Sequence, residues 1–189
     1  MVSIPPRPDL WTLTGLVDNA AADAVRRVRR RSALWWRGAS ACPGWSRADT
    51  VKHLVDAFAI YEQALEVGAG PRPATYRTPP APAREAVLAD QLAVVARDLV
   101  TALRAATDEA PARHPHHAMT AADLAAVALA ECLVHTHDVD PAPLPEEAAG
   151  AVLARLHPVA ATGLAGDAAT LGDLLLRVQR GPGEWDWEL

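Results

Sequence analysis

Cysteine is nearly absent from this chain, with Cys42 and Cys132 the only two. They form neither a metal-type pair nor a disulfide framework, which fits a reduced compartment. Aromatic residues are scarce at 5%, and alanine supplies much of the 50% hydrophobic content. With few β-branched residues between the prolines, that composition favours helix over sheet. No apolar run reaches the roughly 18 residues of a membrane span. The N-terminal MVSIPPRPDL has neither an apolar signal core nor a basic region, so a soluble cytoplasmic protein without a membrane partner is expected. An excess of basic charge is missing as well. The net charge of −5 argues against nucleic acid as a partner. The single basic run, Arg26 to Arg31, is broken by Val28 and reads as a solvated helix face.

What is present is helical periodicity, in a chain whose 189 residues suit one domain with a full core. A first helix is expected from about Pro8 to Trp35, with Leu10, Leu13, Leu16 and Val17 on its apolar side. A second opens at Ser46, which with Asp49 forms a capping box. It carries Val51, Leu54, Val55, Phe58, Tyr61 and Leu65 at a 3.6-residue period and stops at Gly68. After a proline-rich loop, a third runs from near Pro82 to about Thr107. The fourth is capped by Thr120, ends before Pro141 and is apolar nearly all round, so it belongs inside the molecule. Shorter helices follow at about Glu146 to Leu156 and Leu171 to Gln179. The expected fold is all-α: an antiparallel four-helix bundle over residues 1–140, with a short helical extension over residues 141–189 packed on it.

The fourth helix contains the chemistry. Glu131 and His135 lie four residues apart in AECLVHTHDVD and therefore share a face, stacked with Leu124, Val127 and Ala128 before them and Asp138 after. A carboxylate on an apolar stripe is costly to bury without a partner, and a divalent metal is one such partner. The third ligand is sought in His53, which lies on a flank of the second helix with Ala57, Ile60 and Ala64. Three protein ligands and one open position make the pattern of a catalytic zinc. By spacing alone such a pair is common, and most are exposed or hydrogen-bonded to neighbours. Asp138 is read either as a support for a metal-ligating His or as a turn residue. His114, His116 and His117 in RHPHHAMT read as a solvated loop or the rim of a cleft, with Arg77 and Arg84 flanking the mouth. Trp45 reads as packing at the start of the second helix, Trp185 and Trp187 as folding back on the bundle, and His157 as a helix end. Cys42 reads as a turn residue and Cys132 as core.

Two segments carry a resemblance. CPGWSRADTVKHL resembles the opening of the second helix in the DinB-like superfamily, in its mycothiol-dependent maleylpyruvate isomerase branch. ECLVHTHDVD is similar to that branch's second signature, a Glu and a His four apart followed by an aromatic and an Asp. The resemblance covers roughly residues 8 to 140, and LLLRVQRGPGEWDW is weakly similar to the tail of the shorter members. It implies His53, Glu131 and His135 as ligands of a divalent metal, usually zinc. This chain has His137 where the family usually has Trp. By spacing, that residue points about 160° from the His135 stripe, which makes it a packing residue before a catalytic one. The stretch after Val139 is too short for the separate α/β domain of the true isomerases.

The implied activity is activation of mycothiol, a sugar-linked thiol, for addition to a small electrophile, either as thiol transfer or as cis–trans isomerisation. The partners would be that thiol and that electrophile. A DinB-like bundle that binds a ligand or partner without catalysis, and a zinc hydrolase, are the alternative readings.

Overall fold

The computed structural model of the chain describes residues 5–77, 87–158 and 170–180. α1 spans Leu10–Val28, its N-terminus capped by Asp9, which accepts from the Thr12 amide at 2.8 Å. The helix expected to continue to Trp35 stops there. Arg30 takes a left-handed φ of 68°, which no helix interior tolerates. A short helix, α2, then restarts at Ala33–Arg37 under a Ser32 cap. The break lets Arg27 and Arg31 both turn to Asp140, while Arg26 pairs with Asp23 and Arg29 with Asp90. The basic run is thus partly neutralised by neighbouring carboxylates.

α3, Arg47–Val67, opens on the expected capping box of Ser46 and Asp49 and ends at Gly68, whose φ is 54°. α4 covers Leu88–Ala105; its expected beginning near Pro82 lies outside the described residues. A hairpin absent from the sequence reading follows, β1 (Pro111–Arg113) paired antiparallel with β2 (Ala118–Thr120). These three-residue strands are too short to show a period of two. α5, Ala121–Val139, is capped by Thr120 with Asp123. Of its residues only Asp123 and His137 are not buried, as the all-round apolarity requires. α6 (Glu146–Leu156) packs on α5, and α7 (Leu171–Gln179) packs on α6.

The fold is an all-α four-helix bundle with a small hairpin. Its four long helices are arranged in a ring in which α1 and α3 each touch α4 and α5. Contacts at the helix ends give the directions. The α1 start meets Asp108 beyond the α4 end, and Arg29 meets Asp90 at the α4 start, so that pair is antiparallel. Arg7 meets Asp123 and Arg27 meets Asp140, so α1 and α5 run parallel. The Ala41 amide and Arg47, around the α3 start, bond the carbonyls of Asp138 and Val139 at the α5 end. The bundle is therefore antiparallel across α1/α4 and α3/α5, and parallel across α1/α5 and α3/α4. A 21-residue α3 is about 30 Å long, and the long connection from Gly68 to Val87 suffices to return that distance. Leu13, Phe58, Leu92, Leu99, Leu124 and Leu129 fill the centre, each fully buried.

Candidate metal centre

The antiparallel α3/α5 contact decides which side chains meet. Glu131, His135 and Asp138 share the stripe of α5 facing α3 and the turn before it, and are 5%, 4% and 3% exposed. His53 enters from the flank of α3, where Ala57 and Ala64 are also buried. Its Nε2 lies 3.4 Å from Oε2 of Glu131, and Nε2 of His135 lies 3.0 Å from the same oxygen. The two imidazole rings meet edge to face at 4.9 Å. One donor atom from each residue falls within 4.8 Å of the others.

Glu131 uses its two oxygens differently. Oε1 accepts from the Tyr61 hydroxyl at 3.3 Å. Oε2 is buried and takes part in no hydrogen bond of acceptable angle, although two imidazole nitrogens stand close to it. Buried carboxylate oxygens are rarely left this way. A cation between Nε2, Nε2 and Oε2 would satisfy it, and two nitrogens with one oxygen are donors suited to zinc. The open side of the cluster faces His53, whose side chain is 39% exposed, and Trp45, 38% exposed. The Trp45 ring lies 5.2 Å from His53 and 6.4 Å from His135. Trp45 therefore borders the site besides packing at the helix start.

Behind His135 lies a second layer. Its Nδ1 is 3.1 Å from Oδ2 of Asp138, and the Cys42 thiol donates to the same oxygen at 3.0 Å. Arg180, at the end of α7, donates to Oδ1. Cys42 reaches this point from a tight turn: its carbonyl accepts from the Trp45 amide at 3.2 Å, and Ala41 is bonded to the Asp138 carbonyl at 2.9 Å. Cys42, His135 and Asp138 also bring three donors together. Here, though, both carboxylate oxygens already have partners, so this group is a satisfied hydrogen-bond network. Sequence reasoning missed Cys42, Tyr61 and Arg180. Each comes from a different segment, and only the periodicity that buries Tyr61 left any trace.

Electrostatics follow from this packing. Burial alone would raise the Glu131 carboxyl, yet the imidazoles of His135 and His53 outweigh it and hold the group well below the usual range. Burial disfavours an imidazolium at His135, but its contacts with Asp138 and Cys42 and the negative charge of Glu131 beside it raise its pKa well above the ordinary value. The carboxylates of Glu131 and Asp138 around His135 favour a cation at this point, and a divalent ion would compete with a proton for the ring nitrogen. Burial pushes the Cys132 thiol up to about 12, which agrees with a core residue and not a nucleophile.

The remaining candidates lie elsewhere. Nδ1 of His137 donates to the Ala142 carbonyl at 2.9 Å, tying down the chain after α5. Arg77 is fastened to Gln63 through its backbone and approaches Glu66. Gln63 is ten residues beyond His53, about 15 Å along the helix, so Arg77 does not flank the metal cluster. Arg84, Trp185 and Trp187 lie outside the described residues. The histidine loop is not uniformly solvated. His116 is exposed, but His114 is 9% exposed, tucked 5.5 Å from the Tyr61 ring. Burial, with His116 beside it, lowers the His114 pKa to about 4. His157 ends α6 as expected and accepts from Gln179 at 2.9 Å.

No curated protein and no solved structure gives a significant match to the chain. The family model described as the mycothiol maleylpyruvate isomerase N-terminal domain matches residues 17–140, from within α1 to the end of α5, and so includes His53, Tyr61, Glu131, His135, Cys42 and Asp138. With most of its length matched and the DinB-like helical bundle in place, the chain belongs to the family of the mycothiol maleylpyruvate isomerase N-terminal domain.

Proposed function

We propose that this protein is a divalent-metal-dependent, mycothiol-dependent thiol transferase or isomerase acting on a small electrophile. The observation that carries the reading is Oε2 of Glu131, buried without a hydrogen bond between the Nε2 atoms of His53 and His135. His53, Glu131 and His135 would hold the ion, zinc by the chemistry of these donors, and leave its solvent side open. In this reading residues 1–140 form the metal-binding unit and residues 141–189 an extension packed against it. No helix among the described residues is long and apolar enough to cross a membrane, and a cytoplasmic location accords with a thiol cosubstrate.

A bound zinc supplies the charge that stabilises a thiolate at neutral pH. The protein's residues do the rest. Tyr61 occupies Oε1 of Glu131 and leaves Oε2 directed at the site. Asp138 keeps the His135 proton on Nδ1, so that Nε2 presents its lone pair. Trp45 and His53 form the exposed rim, where the body of a large polar thiol would lie.

A hydrolytic reading needs a carboxylate free to act as a base. The second carboxylate of this neighbourhood, Asp138, is committed to His135, Cys42 and Arg180, which favours thiol chemistry over hydrolysis. The deciding experiment combines elemental analysis of zinc-supplemented protein with an assay of mycothiol consumption by a chromogenic electrophile. About one zinc per chain and mycothiol-dependent turnover are expected, both lost in His135→Ala and Glu131→Gln with helical content retained. Wild-type protein without metal would end the reading, and metal with bound thiol but no turnover would favour a non-catalytic binder.

A further inference from the structure

Asp138 is a single carboxylate, 1% exposed in its side chain, on which three separate segments converge. His135 comes from α5 itself, Cys42 from the turn before α3, and Arg180 from the end of α7. An ionised carboxylate so deeply placed needs a compensating charge, and Arg180 supplies a cation that is not a candidate metal ligand. The approach of Arg180 is built into the extension. At the start of α7 the amides of Leu171 and Gly172 bond the Glu146 carboxylate of α6 at 2.9 and 3.4 Å. Leu174 and Leu175 are fully buried, and Gln179 is tied to His157. α7 is thus anchored along its length and delivers its last side chain to the back of the metal cluster. Arg180 also lies beyond residues 17–140, the part that the family model matches.

We propose that Arg180 is a positioning residue for the metal centre: by fixing Asp138 through Oδ1 it keeps Oδ2 on the Nδ1–H of His135, and so aims Nε2 of that ring at the ion. The extension then sets metal affinity from outside the family-matched segment. This inference rests on the metal reading above. Supports of a metal-ligating histidine typically change affinity by about 10–100-fold when removed.

The test is zinc affinity, measured by competition with a chromophoric chelator on full-length protein, alongside the visible spectrum of the cobalt-loaded form. Arg180→Ala is expected to lose about 10–100-fold in affinity and to alter the cobalt spectrum. Arg180→Lys, which keeps the charge, should recover most of the loss. Arg177→Ala, an exposed neighbour on α7, should match wild type. A double-mutant cycle separates positioning from general support of the fold. If Arg180 acts through Asp138, Arg180→Ala adds little in an Asp138→Asn background, a variant that no longer needs the buried countercharge and so guards against misfolding. An Arg180→Ala protein with wild-type affinity and spectrum overturns the proposal, as does an equal loss in both backgrounds. Wild-type protein that takes up no zinc overturns the metal reading, and this inference with it.

Discussion

The Tyr61 hydroxyl donates to Oε1 of Glu131 across 3.3 Å, from the middle of one helix to the middle of its antiparallel neighbour. Tyr61 is itself buried at 4% exposure, and burial together with the adjacent carboxylate raises its own pKa well above the usual value. It is therefore a permanent donor, which occupies one oxygen of Glu131 while the other faces the imidazoles.

Tyr61→Phe should separate this role from packing. The ring contact with His114 survives, while Oε1 loses its donor at a cost of about 1–3 kcal/mol. Urea denaturation of the metal-free protein should show that loss, with weaker zinc retention beside it. An unchanged midpoint and unchanged retention would show that Glu131 is held by other contacts.

Acidification should destabilise the fold through His114. Its folded pKa is depressed from 6.5 to about 4, so between those values the unfolded chain binds more protons than the folded one. Stability therefore falls as pH drops from 6.5 towards 4 and is fully recovered above that range. The limb could reach about 3 kcal/mol at about 1.4 kcal/mol per pH unit. His114→Gln should flatten it, which thermal melts across that range would reveal. An acid limb of the same depth in the variant would place the titration elsewhere.

His137→Trp should leave zinc content intact. The residue faces away from Glu131 and His135, bonded instead to the Ala142 carbonyl at 2.9 Å, and that bond is worth about 1 kcal/mol. A stability loss of that order is expected, with turnover changed less than about tenfold, or 1.4 kcal/mol on the barrier. A far larger drop in turnover by folded, zinc-loaded protein would make His137 an acid–base group.

Gly44 makes the turn that carries Cys42 and Trp45, at a φ of +79°. A Cβ placed there would meet nothing within 4 Å, so the cost of Gly44→Ala comes from the backbone alone, about 1–2 kcal/mol. Gly44→Asn should cost less, since Asn tolerates the left-handed region better. Equal losses in chemical denaturation for the two variants would point to a steric cause.

Much of the architecture is local and was legible in residue order. The Ser46 and Asp49 capping box, the stop at Gly68 and the buried character of α5 depend on neighbours within a turn or two, where periodicity and capping chemistry act. The i, i+4 relation of Glu131 and His135 is of the same kind, since any helix places them on one face. The break after Val28, at the left-handed Arg30, was less visible; it goes with contacts of Arg27 and Arg31 to Asp140, far along the chain.

What only the tertiary structure decided is which side chains those faces meet. The rotation of α3 against α5 brings His53 to within 3.4 Å of Glu131 and turns Tyr61 to its other oxygen. The packing of α7 on α6 carries Arg180 to Asp138, 42 residues away in sequence, and the CPGW turn carries Cys42 to the same carboxylate across 96 residues. The hairpin, likewise, packs through β1 on α3, and the connection between its strands holds a buried His114 that residue order left as a solvated loop or a cleft rim. Helix formation is a property of a segment, whereas the meeting of donors and acceptors depends on axis direction, rotation and the connection that sets them, none of which a local pattern encodes.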